Sequence, residues 1–132
     1  MADLKNCICI PAIQAKRDVL VVAETMASLT YLRPIIHNLL IDGVSANVEA
    51  RIQSPQVIVV TTTCELVDEI NINARKFARG SLKSVAAYRE IDMESQLEDL
   101  ERGCNILSGT LRRILRLVDM GGLLLDQVQY VL

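Results

Sequence analysis

Two β-branched runs constrain the fold of this chain more than any other feature: Asp18-Val19-Leu20-Val21-Val22-Ala23-Glu24-Thr25 and Gln56-Val57-Ile58-Val59-Val60-Thr61-Thr62-Thr63. A continuous apolar run of this length suits a strand buried on both faces, as in a parallel sheet covered by helices. Each run gives way to polar residues and then to apolar residues at helical spacing. Leu29, Leu32, Ile36, Leu39 and Leu40 follow the first run, and Leu66, Ile70, Ala74 and Phe77 follow the second. The unit recurs in weaker form. Ser84-Val85-Ala86-Ala87-Tyr88 reads as a strand, Asp92 as an N-cap, and Met93, Leu97 and Leu100 as a helical face that Gly103 ends. Asn105 to Thr110 reads as a further strand, Ile114, Leu115 and Val118 as a further helix ended by Gly121-Gly122, and Val128 to Leu132 as a closing strand. This alternation predicts right-handed βαβ units in an α/β fold, with a parallel sheet of about five strands between two helical layers. An all-α bundle is the alternative, because β-branched residues cost a helix only tenths of a kcal/mol each. Five alternating runs favour the sheet. The polar connection 43–55 is the longest and is predicted to be mobile.

The chain has 132 residues, 51% apolar and 23% charged, with a net charge of −2, which fits a single domain over 1–132. No apolar stretch approaches the roughly 18 residues of a membrane span, and Met1-Ala2-Asp3-Leu4-Lys5-Asn6 lacks the order of a signal peptide. A soluble, cytoplasmic protein without membrane contact is expected. The slightly acidic balance excludes a generic basic nucleic-acid binder, so any such contact must come from a local cluster. Cys7, Cys9, Cys64 and Cys104 do not have zinc spacing, and His37 is the one His. They read as reduced, mostly buried thiols, with no metal site. His37 stands among Ile35, Ile36, Leu39 and Leu40 with no catalytic partner at a recognisable spacing, and reads as a helix-surface or core-edge residue.

From about Ile10 onward the wording resembles the first RecA-like domain of a DEAD-box RNA helicase, of the Vasa-type group. The resemblance is carried by Ile10-Pro11-Ala12-Ile13-Gln14-Ala15-Lys16-Arg17-Asp18, by Leu32-Arg33-Pro34-Ile35-Ile36-His37-Asn38-Leu39-Leu40, by Asn73-Ala74-Arg75-Lys76-Phe77-Ala78-Arg79-Gly80, and by Leu100-Glu101-Arg102-Gly103-Cys104-Asn105-Ile106-Leu107. It implies a three-layer fold of the P-loop NTPase type and, for the family, ATP and Mg as cofactors and RNA as partner.

The motif positions depart from the family. Where A-x-T-G-S-G-K-T would stand, this chain has Ala23-Glu24-Thr25-Met26-Ala27-Ser28-Leu29-Thr30. A phosphate loop needs Gly so that backbone N–H groups can converge, and Lys to neutralise the β- and γ-phosphates. The remnant nucleotide positions Thr25, Met26, Ala27, Ser28, Leu29 and Thr30 supply neither. P-T-R-E-L becomes Thr62-Thr63-Cys64-Glu65-Leu66, the Gly-Gly pair becomes Arg89-Glu90, and T-P-G-R becomes Thr110-Leu111-Arg112-Arg113. The family's adenine-reading glutamine aligns with Asn6, and the chain reaches Tyr130-Val131-Leu132 just before the D-E-A-D position. The expectation is a partial, degenerate helicase domain, a pseudoenzyme with no catalytic residues and with ATP and Mg binding lost.

Weak single-stranded RNA or phosphate binding is the sharper expectation for what remains. Its residues are Thr63, Glu65, Arg89, Thr110, Arg112 and Arg113, with Arg116 and Lys83 adding charge and Glu90 opposing it. Arg112 and Arg116, at i and i+4, equally suit a plain solvated face, as do Glu98, Asp99, Glu101 and Arg102. Glu65, Asp68 and Glu69 suit a helix start without acid–base work. The second expectation is a structural α/β protein that self-associates as a homodimer through an exposed sheet edge.

Overall fold

The computed structural model describes residues 28–44 and 51–132, together with Pro11 and Ala15. The run 18–25, Asn6, Cys7, Cys9 and positions 25–27 lie outside the described residues, as does the middle of the 43–55 connection. The chain divides into two compact units, one ending at Val44 and one beginning at Ser45.

In the first unit, helix α1 (Ser28–Ile41) carries Pro34 in its interior. Leu32, Ile35, Ile36 and Leu39 form its buried stripe, whereas Leu40, expected inside, is 39% exposed. His37 is exposed, as the sequence predicts.

The second unit runs β1 (Val57–Thr61), α2 (Cys64–Ala78), β2 (Ser84–Ala87), α3 (Met93–Glu101), β3 (Ile106–Thr110), α4 (Leu111–Asp119) and β4 (Tyr130–Val131). Its four strands lie in the order β2-β3-β1-β4 and every pair is parallel. The fold is therefore α/β, not a helical bundle. In the shared register Ile106 lies between Ser84 and Val57, and Val57 pairs in turn with Tyr130.

Residue parity sorts the two faces of the sheet. Ile58, Val85, Ala87 and Leu107 face a core shared with Leu100 of α3 and with Ile114 and Leu117 of α4. The alternate residues Val57, Val59 and Ile106 are also buried, and α2 packs on β2 and β3 through Val67, Ile70 and Ala74. Burial on both faces explains why the strand sequences read as unbroken apolar runs. The buried stripe of α4 is Ile114 and Leu117. Leu115, placed inside by the sequence reading, is 52% exposed.

Helix limits follow local chemistry. Thr63 caps α2, its Oγ1 accepting the Leu66 N–H at 3.3 Å. Arg79 ends the same helix in the left-handed region at φ 49°. Asp92 caps α3 as expected, accepting the Ser95 N–H at 3.3 Å.

Buried amides tie the amino-terminal ends of the strands together. Asn105 accepts the Lys83 N–H on Oδ1 at 2.9 Å, and its Nδ2 donates to Gln56 Oε1 at 2.9 Å. Gln53, only 4% exposed, accepts the Cys104 N–H at 3.3 Å. Burial also pushes the Cys104 thiol well above its ordinary range, so it stays protonated and inert.

The β2 edge is closed in a different way. The Lys83 carbonyl accepts from Asn105 and Ile106, so Ser84 and Ala86 direct their backbone groups away from β3. Arg75 Nη2 donates to the Ser84 carbonyl at 3.4 Å, and Gln96 Nε2 donates to the Ala86 carbonyl at 2.8 Å. Both outward carbonyls are thus covered by side chains, one from each helical layer.

Candidate functional site

The strand order fixes where a ligand would enter. From β1 the chain crosses by α2 to β2, and from β3 it crosses by α4 to β4 at the other side of the sheet. Adjacent strands whose connections leave in opposite directions open a crevice at their carboxyl ends. Here those ends are the paired residues Thr61 and Thr110. The Thr61 hydroxyl is buried and has no hydrogen-bond partner among the described residues, which marks the crevice as polar.

Two helices start at this crevice, and they differ electrostatically. At the start of α2 the Thr63 side chain caps the helix and Glu65 stands in the first turn. Backbone N–H groups, helped by Cys64 and Thr63, hold the Glu65 carboxyl below its ordinary value. Asp68 and Glu90 extend this acidic side. Tyr88 donates its hydroxyl to Asp68 Oδ2 at 3.1 Å, and burial followed by that carboxylate raises its own pKa. Desolvation and the nearby Glu65 and Glu90 raise the Cys64 thiol too, so Cys64 has no activated thiolate.

Helix α4 leaves β3 directly. Its N-cap Thr110 makes no side-chain capping bond and its first turn holds no acid. Among the described residues no side-chain cap or first-turn acid offsets the helix dipole there, which favours an anion. A groove of about 1180 Å³ opens beside it, lined by Arg89, Met93, Thr110, Leu111, Arg112, Arg113, Leu115, Arg116, Asp119 and Met120. Arg89, Arg112 and Arg116 are exposed.

The expected RNA-contact residues thus fall into three groups. Arg89, Thr110, Arg112 and Arg116 converge on the α4 groove. Thr63 and Glu65 serve the start of α2. Arg113 reaches the groove wall but is only 8% exposed, with its guanidinium directed inward. Its Nη2 donates to the carbonyls of Arg89 at 2.8 Å and Ile91 at 2.9 Å, and Nη1 meets Met93 Sδ at 3.6 Å. Arg113 therefore holds the β2–α3 loop in place and does not face solvent. Its spacing of i to i+4 from Leu117 put it on the buried stripe, a signal legible in the sequence. Lys83 precedes β2, at the opposite end of the sheet from the groove. Ser28, Leu29 and Thr30 form the first turn of α1, and Thr25, Met26 and Ala27 lie outside the described residues.

Two features escaped the sequence reading. Leu111, Leu115 and Met120 line the groove with exposed apolar surface at 55%, 52% and 49%. Gly109 lets β3 turn into α4 against β2, since a Cβ there would lie 2.7 Å from the Ala87 carbonyl oxygen. Among the described residues no group of three His, Cys, Asp or Glu could hold a metal, and no helix is long and apolar enough to cross a membrane.

The family model described as DEAD/DEAH box helicase matches residues 6–132. The probable ATP-dependent RNA helicase DDX4 of Homo sapiens is 33% identical over 125 residues, covering 92% of this chain and 17% of that protein. The probable ATP-dependent RNA helicase ddx3 of Dictyostelium discoideum is 33% identical over 131 residues, covering 92% of this chain and 18% of that protein. The chain thus spans under a fifth of the length of these curated relatives. A hypothetical ATP-dependent RNA helicase from Sulfolobus tokodaii superposes with a TM-score of 0.74 at 22% identity, covering 96% of this chain and 34% of that one. A DEAD box protein from Methanococcus jannaschii gives 0.72 at 23% identity, covering 92% and 32%.

Proposed function

Given that the chain belongs to the DEAD/DEAH box helicase family, we propose that it is a partial RecA-like domain that has lost ATP hydrolysis and retains weak phosphate or single-stranded RNA binding at the α4 groove. The observation that carries this reading is the uncapped start of α4 with Arg89, Arg112 and Arg116 around it. Backbone N–H groups and guanidinium groups together suit phosphate oxygens, and no base-reading group is needed. The acidic start of α2 restricts the contact to the β3 side of the crevice.

ATP with magnesium does not fit the residues at the nucleotide positions. Thr25-Met26-Ala27-Ser28-Leu29-Thr30 contains neither glycine nor a cation, so it lacks what a phosphate cradle needs. Thr30 alone could offer a metal-side hydroxyl, and a lone hydroxyl does not retain Mg²⁺ without phosphate.

The test is a titration of the protein with labelled single-stranded RNA and, in parallel, with labelled ATP and magnesium, at low and moderate salt. Weak RNA binding with a shallow salt slope is expected, reflecting few phosphate contacts. Arg112→Ala with Arg116→Ala should reduce that slope by about 2, one unit for each phosphate contact. Micromolar ATP binding would overturn the assignment. A second reading, self-association, draws on Val131, 70% exposed on β4, which borders the sheet among the described residues. A monomeric mass by light scattering at high protein concentration would remove it.

A further inference from the structure

A second groove, of about 430 Å³, runs along the outer edge of β2 between α2 and α3. It shares no lining residue with the α4 groove, although both reach the β2–α3 loop, and its chemistry differs. Arg75, Lys83 and Arg102 line it against a single carboxylate, Asp99. That carboxylate lies 3.9 Å from Arg102 in an exposed pair, a contact that offers little resistance to exchange. The chain as a whole is negative, at −2, so this is a local reversal of charge.

The floor of the groove has one-sided hydrogen-bonding capacity. Of the backbone groups that β2 turns outward, the carbonyls of Ser84 and Ala86 already accept from Arg75 and Gln96. The N–H groups of the same two residues have no acceptor among the described residues. The edge is therefore closed to ordinary strand addition, which needs carbonyls and N–H groups in alternation. It is open to a ligand that brings acceptors and negative charge. Ser84 and Ala86 are two residues apart, the spacing at which an extended peptide repeats its side chains on one face. The lining offers no aromatic platform on which a base could stack, so a nucleic acid is the poorer fit.

We propose that the β2 edge groove docks an extended acidic peptide of a partner protein. Its carboxylates meet Arg75, Lys83 and Arg102, and its acceptors face the N–H groups of Ser84 and Ala86. This surface goes beyond the RNA reading, and it uses none of the α4 arginines.

The experiment titrates the isotope-labelled protein with a fluorescent peptide of alternating Glu and Val. Anisotropy reports affinity and amide shifts report the contact. Saturable binding is expected, with the largest shifts at the Ser84 and Ala86 amides. Lys83→Glu with Arg102→Glu, both exposed, should weaken binding about tenfold at low salt while leaving the melting temperature unchanged. Arg112→Glu with Arg116→Glu should leave peptide binding intact. Equal binding of a Gln-Val peptide would overturn the proposal, as would amide shifts confined to α4. So would a single-stranded RNA that displaces the peptide from the β2 edge.

Discussion

The two ends of the sheet are built on opposite principles. At the amino ends, Gln53, Gln56 and Asn105 join loop and strand starts, and Asn105 is 3% exposed with both ends of its amide used. At the carboxyl ends, the Thr61 hydroxyl is buried without a partner among the described residues and α4 begins without a side-chain cap. A satisfied buried amide network specifies register, and an unsatisfied polar crevice is where a fold places ligand chemistry. Stability and binding are therefore separable in this molecule, and substitutions at the two ends should fail in different ways.

The largest effect is expected where the carboxyl end is most crowded. Gly109→Ala places a methyl group 2.7 Å from the Ala87 carbonyl oxygen and 3.0 Å from Ile114. A loss of about 3 kcal/mol in urea unfolding is the expected outcome. A loss under about 0.5 kcal/mol would show that β2 and β3 can separate freely there.

Next comes the amino end. Asn105→Ala leaves the Lys83 N–H and the Gln56 amide without their partners, and about 2 kcal/mol should be lost, read by the same denaturation. RNA affinity of the remaining folded protein should not change. If it does, the two ends are coupled and the contrast between them fails.

Arg113 sharpens the comparison because it belongs to the groove by position and to the core by contact. Arg113→Met should cost about 1–2 kcal/mol and increase hydrogen exchange in the loop that carries Arg89. Arg112→Ala, a few ångströms away on the exposed face, should leave both unchanged. Equal behaviour of the two variants would show that the buried contacts of Arg113 contribute nothing to holding the loop.

The smallest effect concerns Glu65. Its folded pKa is depressed below the ordinary 4.5, so its contribution to stability is present above that value. It is lost as pH falls through the lower folded value. Relative to Glu65→Gln, the native protein should hold a higher melting temperature near neutral pH, and the difference should vanish on acidification. A difference that persists at the acid end would rule out the ionised carboxylate as its source.

The parallel architecture was legible because strands buried on both faces leave unbroken apolar runs, as in Val57 to Val60. The cap at Asp92 was legible for a local reason, since it acts within three residues. Side-chain direction on α4 was legible only in part, through the i to i+4 spacing of Arg113 and Leu117. Leu115 and Arg113 exchange the roles their chemistry suggests, because the buried stripe is set by what β3 and the α3 loop present to the helix. Apolar character then matters less than angular position. The edge caps from Arg75 and Gln96 were equally hidden, since their partners lie nine and ten residues away on another element.

The strand order also imposes a timetable on a chain growing from its amino terminus. β1 is the second strand from the β4 side, and its neighbours are β3 and β4, the last two of the described strands to emerge. Until residues 106–110 have been made, the apolar run from Val57 to Val60 has no sheet partner among the described strands, and β2 is likewise unpaired. Non-local pairing of this kind slows folding and leaves hydrophobic strands exposed to other chains meanwhile. β3 is thus the event that converts two stranded segments into a sheet.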